Sequence, residues 1–350
     1  MDAAAVLLPA LFAFVGYWPL FMMLVWVMGG LTFYHLHERG SRQSDVPPAA
    51  PDGPFVTILV PCFNEEDNAE ETLRACAAQL YPHFEIVAVN DGSRDRTAEV
   101  LDALASEISR LRIVHLAQNQ GKAIALRTGA LMANGEVLVC IDGDAILHPH
   151  CVGWLVRRFS ERPRLGAVTG NPRIRNRSSL LGLLQVGEFS ATIGLIKRTQ
   201  RLRWAEGGAQ TFLRYTRDFL DWRDRRMWGI LVEYAVSVLW CYAMILTLVL
   251  MALAELAVLP PWLEPPPAPL ALWGMMLSVA CLVQFALALW IDRRHDGGID
   301  DAYRPLIWVI WYPAAFWVIS AVSTIVGFPK ALFRRSGRRA RWVSPDRGFR

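Results

Sequence analysis

Residues 55–67 read FVTILVPCFNEED. A continuous apolar run of strand length opens into a loop that ends in three acids. Such a run, bounded by loop residues, fits a β-strand buried on both faces. The pattern returns in FEIVAVNDGS (84–93), LRIVHLA (111–117) and EVLVCIDGDA (136–145). Between these runs lie AEETLRACAAQL (69–80), RTAEVLDALASEI (96–108) and GKAIALRTGALMA (121–133), all of helical composition. Strands alternating with helices predict an α/β fold with a doubly wound, mostly parallel sheet. Ligands of such sheets bind beyond the carboxyl ends of the strands. Every acidic motif of this region falls at such an end.

Three of those ends carry candidate chemistry. Asp91, in VNDGSRD, can accept hydrogen bonds from a base edge or a ribose, although DGS alone is also a common turn. Asp142 and Asp144 form D-G-D after VLVCI. Two carboxylates so spaced can hold a hard divalent cation by oxygen, with phosphates completing the shell. Glu65 and Glu66 follow the first strand at the same edge, and Lys122 opens a helix beside a glycine, where it can neutralise a phosphate or simply face solvent. Each signal is weak alone; their shared edge makes them one candidate site.

Around this core the chain is too apolar for an ordinary soluble protein: 53% of its 350 residues are hydrophobic and 14 are Trp. A net charge of only +4 implies no nucleic-acid partner. Residues 3–34 carry no charge, and about 20 apolar residues suffice to span a bilayer. This run predicts one long or broken transmembrane helix, with Gly16 and Pro19 as points of bending; neither a basic leader nor a small-residue cleavage site marks it as a signal peptide. Further charge-poor runs at 229–254, 268–291 and 305–328 predict three C-terminal spans. The Lys- and Arg-free loop 257–269 is expected outside and 292–304 inside, but a simple third crossing would carry RRSGRRARW outward, so Pro313 predicts a re-entrant or kinked last run. Basic clusters beside these runs fit an anionic leaflet or a solvated, topology-setting flank. Phe212, Tyr215, Phe219 and Trp222, interspersed with arginines, predict an amphipathic helix, in the membrane interface or in a soluble core. The six cysteines show no C-x-x-C and no metal-ligand spacing, which predicts buried free thiols, Cys62 and Cys140 among them.

The motifs VPCFNEE, VNDGSRD, NQGKAIALRTGA, CIDGDA and TGNPRIR together resemble the membrane-bound family-2 glycosyltransferases, and QRLRW (200–204) resembles their Q-x-x-R-W motif. The longer runs GAVTGNPRIR, QVGEFSATIGLIKRTQR and RARWVSPDRG resemble the branch that makes poly-β-1,6-N-acetylglucosamine, a biofilm polymer. The resemblance implies a GT-A-like catalytic domain over 55–204, cytoplasmic, after a transmembrane segment (1–34) and a proline-rich linker (35–54). An interfacial helix (205–228), a C-terminal transmembrane bundle (229–328) and a basic tail (329–350) would follow, in a multi-pass protein of the bacterial inner membrane. It implies UDP-N-acetylglucosamine as donor, with Glu65, Asp91, Lys122 and Asp142 on the nucleotide sugar. Asp142 and Asp144 would hold Mg2+ or Mn2+, and Gln200, Arg203 and Trp204 would meet the acceptor and growing polysaccharide. It further implies a small two-helix membrane subunit as partner.

An inverting transfer needs a general base for the incoming hydroxyl. In the family this is the Asp of a T/E-E-D motif between D-x-D and Q-x-x-R-W. Here the acids between Asp144 and Gln200 are Glu161 and Glu188 alone, and neither lies in such a motif. TQR ends the upstream run and QRLRW begins the downstream one, and the chain carries their shared QR once, at Gln200–Arg201. The catalytic-base and acceptor segment is therefore expected to be missing at this join. These residues alone are expected to bind the donor without elongating polymer.

Overall fold

The computed structural model describes residues 3–38, 46–47, 52–162, 164–170, 198–216, 222, 225, 228–260, 263, 269–292 and 312–333. Contacts divide the chain into a helical unit, Met1–Arg42 with Pro172–Arg335, and a sheet unit, Gln43–Asn171 with Ser336–Arg350.

In the sheet unit the four expected strands form β1 (Val56–Cys62), β2 (Phe84–Asn90), β3 (Leu111–His115) and β4 (Val137–Cys140). They lie in the order β3-β2-β1-β4, and all pairs are parallel. Every residue of β1 and β2 is buried, as continuous apolar runs require in a sheet covered on both faces. Alternation then sorts the side chains. Ile58, Val60, Cys62, Ile86 and Ala88 join a core with helices α2 (Ala69–Ala77), α3 (Thr97–Glu107) and α5 (Cys151–Glu161). Leu59, Val87 and Val89 point the other way, onto Ala125 of α4 (Lys122–Met132). Helices on both faces make the sheet doubly wound, as expected.

Strand order matters for function. From β1 the chain winds outward through β2 to β3, then returns to place β4 on the other side of β1. The direction of winding reverses between β1 and β4, which is where open α/β sheets leave a crevice. As an edge strand, β4 has one flank unpaired among the described residues. Cys140 is accordingly exposed, which corrects the expectation that it is buried; Cys62 and Cys76 are buried free thiols as expected, and Cys151 is half-buried. Burial pushes the Cys76 thiol up to about 12.

In the helical unit, α1 (Ala3–Phe33) runs as one helix through Pro9 and Pro19 and continues into a short π-helical turn, Tyr34–Glu38. The remaining described helices are α6 (Arg198–Tyr215), α7 (Trp228–Glu255), α8 (Pro269–Asp292) and α9 (Tyr312–Leu332). Val6–Leu36 and Trp228–Glu255 are long and apolar enough to cross a membrane, whereas Gly274–Leu287 and Val318–Leu332 are shorter apolar stretches. Trp240 of α7 donates its indole N–H to the Val15 carbonyl of α1 at 2.9 Å, and Trp240, Cys241 and Met244 pack with Ala321 of α9. Pro313 falls in the first turn of α9, where a missing N–H costs the helix nothing.

The amphipathic segment differs from expectation. Instead of one helix over 205–228, α6 starts at Arg198, ends at Tyr215, and α7 begins at Trp228. Phe212 stacks on Tyr234 of α7 (centroids 5.1 Å apart) and meets Phe328 of α9 at 6.4 Å. Tertiary partners therefore take up Phe212, which the sequence assigned to a membrane interface or a soluble core. The α6 backbone carries Gln200, Arg203 and Trp204, and this helix groups with the helical unit rather than with the sheet. Their side chains lie outside the described residues, as do Phe219, Glu188 and residues 293–311 and 334–350.

A candidate nucleotide-sugar site at the carboxyl edge of the sheet

The site is built from the loops after β1, β2 and β4 and from the start of α4. Two of those loops are clasped together. The Asn64 amide donates to Ser93 Oγ (3.0 Å), and the Arg94 amide donates back to Asn64 Oδ1 (2.9 Å). The Glu66 amide donates to Asp95 Oδ2 (3.2 Å), and the Arg96 amide to Glu66 Oε2 (3.0 Å). Asp95 also caps Thr97, whose hydroxyl oxygen accepts the Glu65 amide at 2.8 Å. Reciprocal side-chain-to-backbone bonds satisfy loop amides that no strand can pair. Asn64, Ser93, Asp95 and Thr97 were not among the sequence-predicted site residues. Their one sequence signal is the density of Asn, Asp, Ser and Thr after each strand.

Asp91 is fully buried at the end of β2. Its two carboxylate oxygens accept the backbone amides of Gln120 and Gly121, each at 2.8 Å. Gly92 sits against the same loop with φ +65°, and a Cβ there would lie 2.5 Å from the Gln118 carbonyl carbon. The end of β2 and the entry to α4 are thus one rigid piece. Lys122, next along, is ion-paired with Asp142 at the end of β4.

The D-G-D loop is held from beneath. Thr72 of α2 donates its hydroxyl to the Gly143 carbonyl (3.0 Å), and the Ala145 amide donates to the Asp142 carbonyl (3.0 Å). A Cβ on Gly143 would press on the Pro61 carbonyl at 3.0 Å and on Glu65 Cγ at 3.3 Å, so glycine lets this loop lie against β1 without displacing it. Glu65 is buried there, and its carboxylate accepts the Asn68 side-chain amide at 3.3 Å. Asp142 and Asp144 both face solvent. The structure therefore gathers Glu65, Asp91, Lys122, Asp142 and Asp144 at one edge, beside the reversal between β1 and β4. No group of three or more His, Cys, Asp or Glu able to hold a metal occurs among the described residues. Two exposed carboxylates fit Mg2+ or Mn2+, hard cations that keep waters and take substrate phosphates as further ligands.

Glu161, one of the two acids between D-x-D and Q-x-x-R-W, lies at the far end of α5. It pairs with Arg157 at 2.6 Å and Arg158 at 3.2 Å, and the Arg157 hydrogen bond holds its carboxyl below the ordinary range. A carboxylate so stabilised is a poor proton acceptor.

Known proteins match this chain along its length. It is 29% identical to the poly-beta-1,6-N-acetyl-D-glucosamine synthase of Staphylococcus aureus, over 96% of this chain and 98% of the relative. It is 28% identical to the synthase of the same name from Staphylococcus epidermidis, over 97% and 98%. The first alignment occupies 411 positions, 61 more than the 350 residues of this chain, so the relative carries at least that many residues without a counterpart here. A mannosyltransferase of Pyrobaculum calidifontis, in complex with GDP-Man and Mn2+, is similar in fold, with a TM-score of 0.52 and 19% identity over 94% of this chain and 99% of that one. Residues 57–222 match the profile of Glycosyl transferase family 2, and span the parallel sheet, the D-G-D loop and the helix bearing QRLRW. The chain is a glycosyltransferase that carries a family-2 glycosyl transferase domain over those residues.

Proposed function

We propose that this glycosyltransferase takes N-acetylglucosamine from UDP-N-acetylglucosamine and adds it to a growing β-1,6-linked polysaccharide. The observation that carries the reading is the convergence of Glu65, Asp91, Lys122, Asp142 and Asp144 at the sheet reversal, in a chain similar over 96% of its length to a synthase of that polymer. Asp142 and Asp144 hold Mg2+ or Mn2+; bound there, the cation supplies Lewis acidity to the leaving diphosphate. Lys122 neutralises a phosphate charge. Asp91, buried and holding the amides of Gln120 and Gly121, fixes the loop before α4 against which the uridine lies in this reading. Gln200, Arg203 and Trp204, on α6, serve the acceptor and polymer, where an aromatic face can stack on a sugar. We infer further that the chain is a multi-pass protein of the bacterial inner membrane, with the sheet unit cytoplasmic and a small two-helix subunit as partner; the two helices among the described residues that are long and apolar enough to cross a membrane support this reading.

A specific observation favours a second reading, in which the chain binds nucleotide sugar as a non-elongating membrane subunit. Glu161 is tied to two arginines, no T/E-E-D motif lies between Asp144 and Gln200, and the relative has at least 61 residues that this chain lacks. One assay separates the two: full-length chain in membrane vesicles, supplied with radiolabelled UDP-N-acetylglucosamine and Mn2+. Label in a high-mass product with 1,6 linkages supports polymer synthesis, and another linkage reassigns the product. Saturable donor binding without incorporation supports the second reading. Absence of binding contradicts both.

A further inference from the structure

Lys122 and Asp142 meet because both are delivered by tied backbone. Asp91 holds the amides of Gln120 and Gly121, directly ahead of Lys122. Thr72 and the Ala145 amide pin the loop that carries Asp142. The pair itself is exposed, with 43% of the Lys122 and 58% of the Asp142 side chain accessible. Exposed ion pairs contribute only about 0.2–1 kcal/mol, so this one exchanges readily for a stronger partner. Its place is the unusual feature. Asp142 is one of the two carboxylates that fit a divalent cation, and the Lys122 ammonium covers it.

We propose that Lys122 is the resident counter-ion of Asp142 in the nucleotide-free protein, where it competes with a divalent cation, and that it releases Asp142 to the cation when a nucleoside diphosphate arrives to take the ammonium. This rests on the nucleotide-sugar reading of the site. Lys122 is then a positioning residue that couples two ligands. Without nucleotide it competes with a cation for Asp142. With nucleotide its charge moves to the diphosphate, and both Asp142 and Asp144 face the cation. By linkage, nucleotide raises cation affinity and cation raises nucleotide affinity by the same factor.

The test reads metal binding, not turnover. Mn2+ is titrated into the full-length chain in detergent, without nucleotide, and free Mn2+ is followed by its paramagnetic resonance signal. Lys122→Met is expected to tighten Mn2+ binding by about three- to fivefold, the order set by loss of an exposed competing pair. The same change in an Asp142→Asn background is expected to have no such effect. The increase in Mn2+ affinity caused by UDP is expected in the unaltered chain and reduced in Lys122→Met. Lys122→Gln serves as a second variant, and melting temperature confirms folding. Unchanged or weaker Mn2+ binding in both variants overturns the proposal, as does equal tightening with Asn at 142, which would mark a general charge effect. If UDP binds normally while these results fail, only the role of Lys122 falls. If UDP does not bind at all, the reading beneath it falls too.

Discussion

Glu85, near the start of β2, and Asp91, directly after its end, are both buried acids, and they divide the work of the strand. At the amino end, Glu85 accepts the Thr57 hydroxyl (2.7 Å), the Asn134 amide (2.7 Å) and side chain (3.1 Å), and Arg112 (2.7 Å). Burial pushes its pKa up, but these donors outweigh burial and hold it below the ordinary carboxylate value. A depressed folded-state pKa gives stability that is complete above the unfolded value, about 4.3, and is lost as pH falls through the folded one. Glu85→Ala is therefore expected to destabilise the chain by about 2 kcal/mol at neutral pH, because it removes the acceptor of the buried Thr57 hydroxyl and of the Asn134 amide. The deficit should shrink below about pH 4. Thermal melts across pH check both; an equal deficit at low pH would remove Glu85 as the cause. At the carboxyl end, the place of Asp91 just after a strand was legible from the sequence. Its bonds to Gln120 and Gly121 were not legible, because they join residues about thirty positions apart that no local period relates. The same holds for the Asn64–Ser93 clasp.

Among elements, β1 and β2 were the most legible, because a strand covered on both faces shows as an unbroken apolar run. The strand β4 was legible in place but not in environment: its apolar letters resemble β1, yet its edge position exposes Leu138 and Cys140. Helix α6 was the least legible. Of the four aromatics whose spacing predicts a sided helix, Phe212 and Tyr215 lie on α6, and spacing cannot say whether lipid or Tyr234 and Phe328 cover Phe212, nor where the helix starts. Helix α5 yields a prediction at this scale. Glu161 pairs with arginines one turn back on an exposed surface, and such pairs contribute little. Glu161→Gln is expected to change stability by less than about 0.5 kcal/mol and to leave both donor binding and any sugar incorporation unaltered. A loss of incorporation with binding intact would instead identify Glu161 as the base.

At the scale of the molecule, the sheet unit and the helical unit hold different halves of the proposed reaction. The donor-side residues are in the sheet unit, on loops fixed to one another. The Q-x-x-R-W residues are on a helix of the other unit. Both functional readings require donor binding, so the donor half gives the decisive test. That test is equilibrium binding of UDP-N-acetylglucosamine to the full-length chain in detergent, with Mn2+ and with chelator, for the unaltered protein and for Asp144→Asn. The account predicts saturable binding that depends on Mn2+ and weakens by about tenfold or more in Asp144→Asn. Binding of equal strength in chelator and in the variant would contradict a nucleotide-sugar site built on the D-G-D loop.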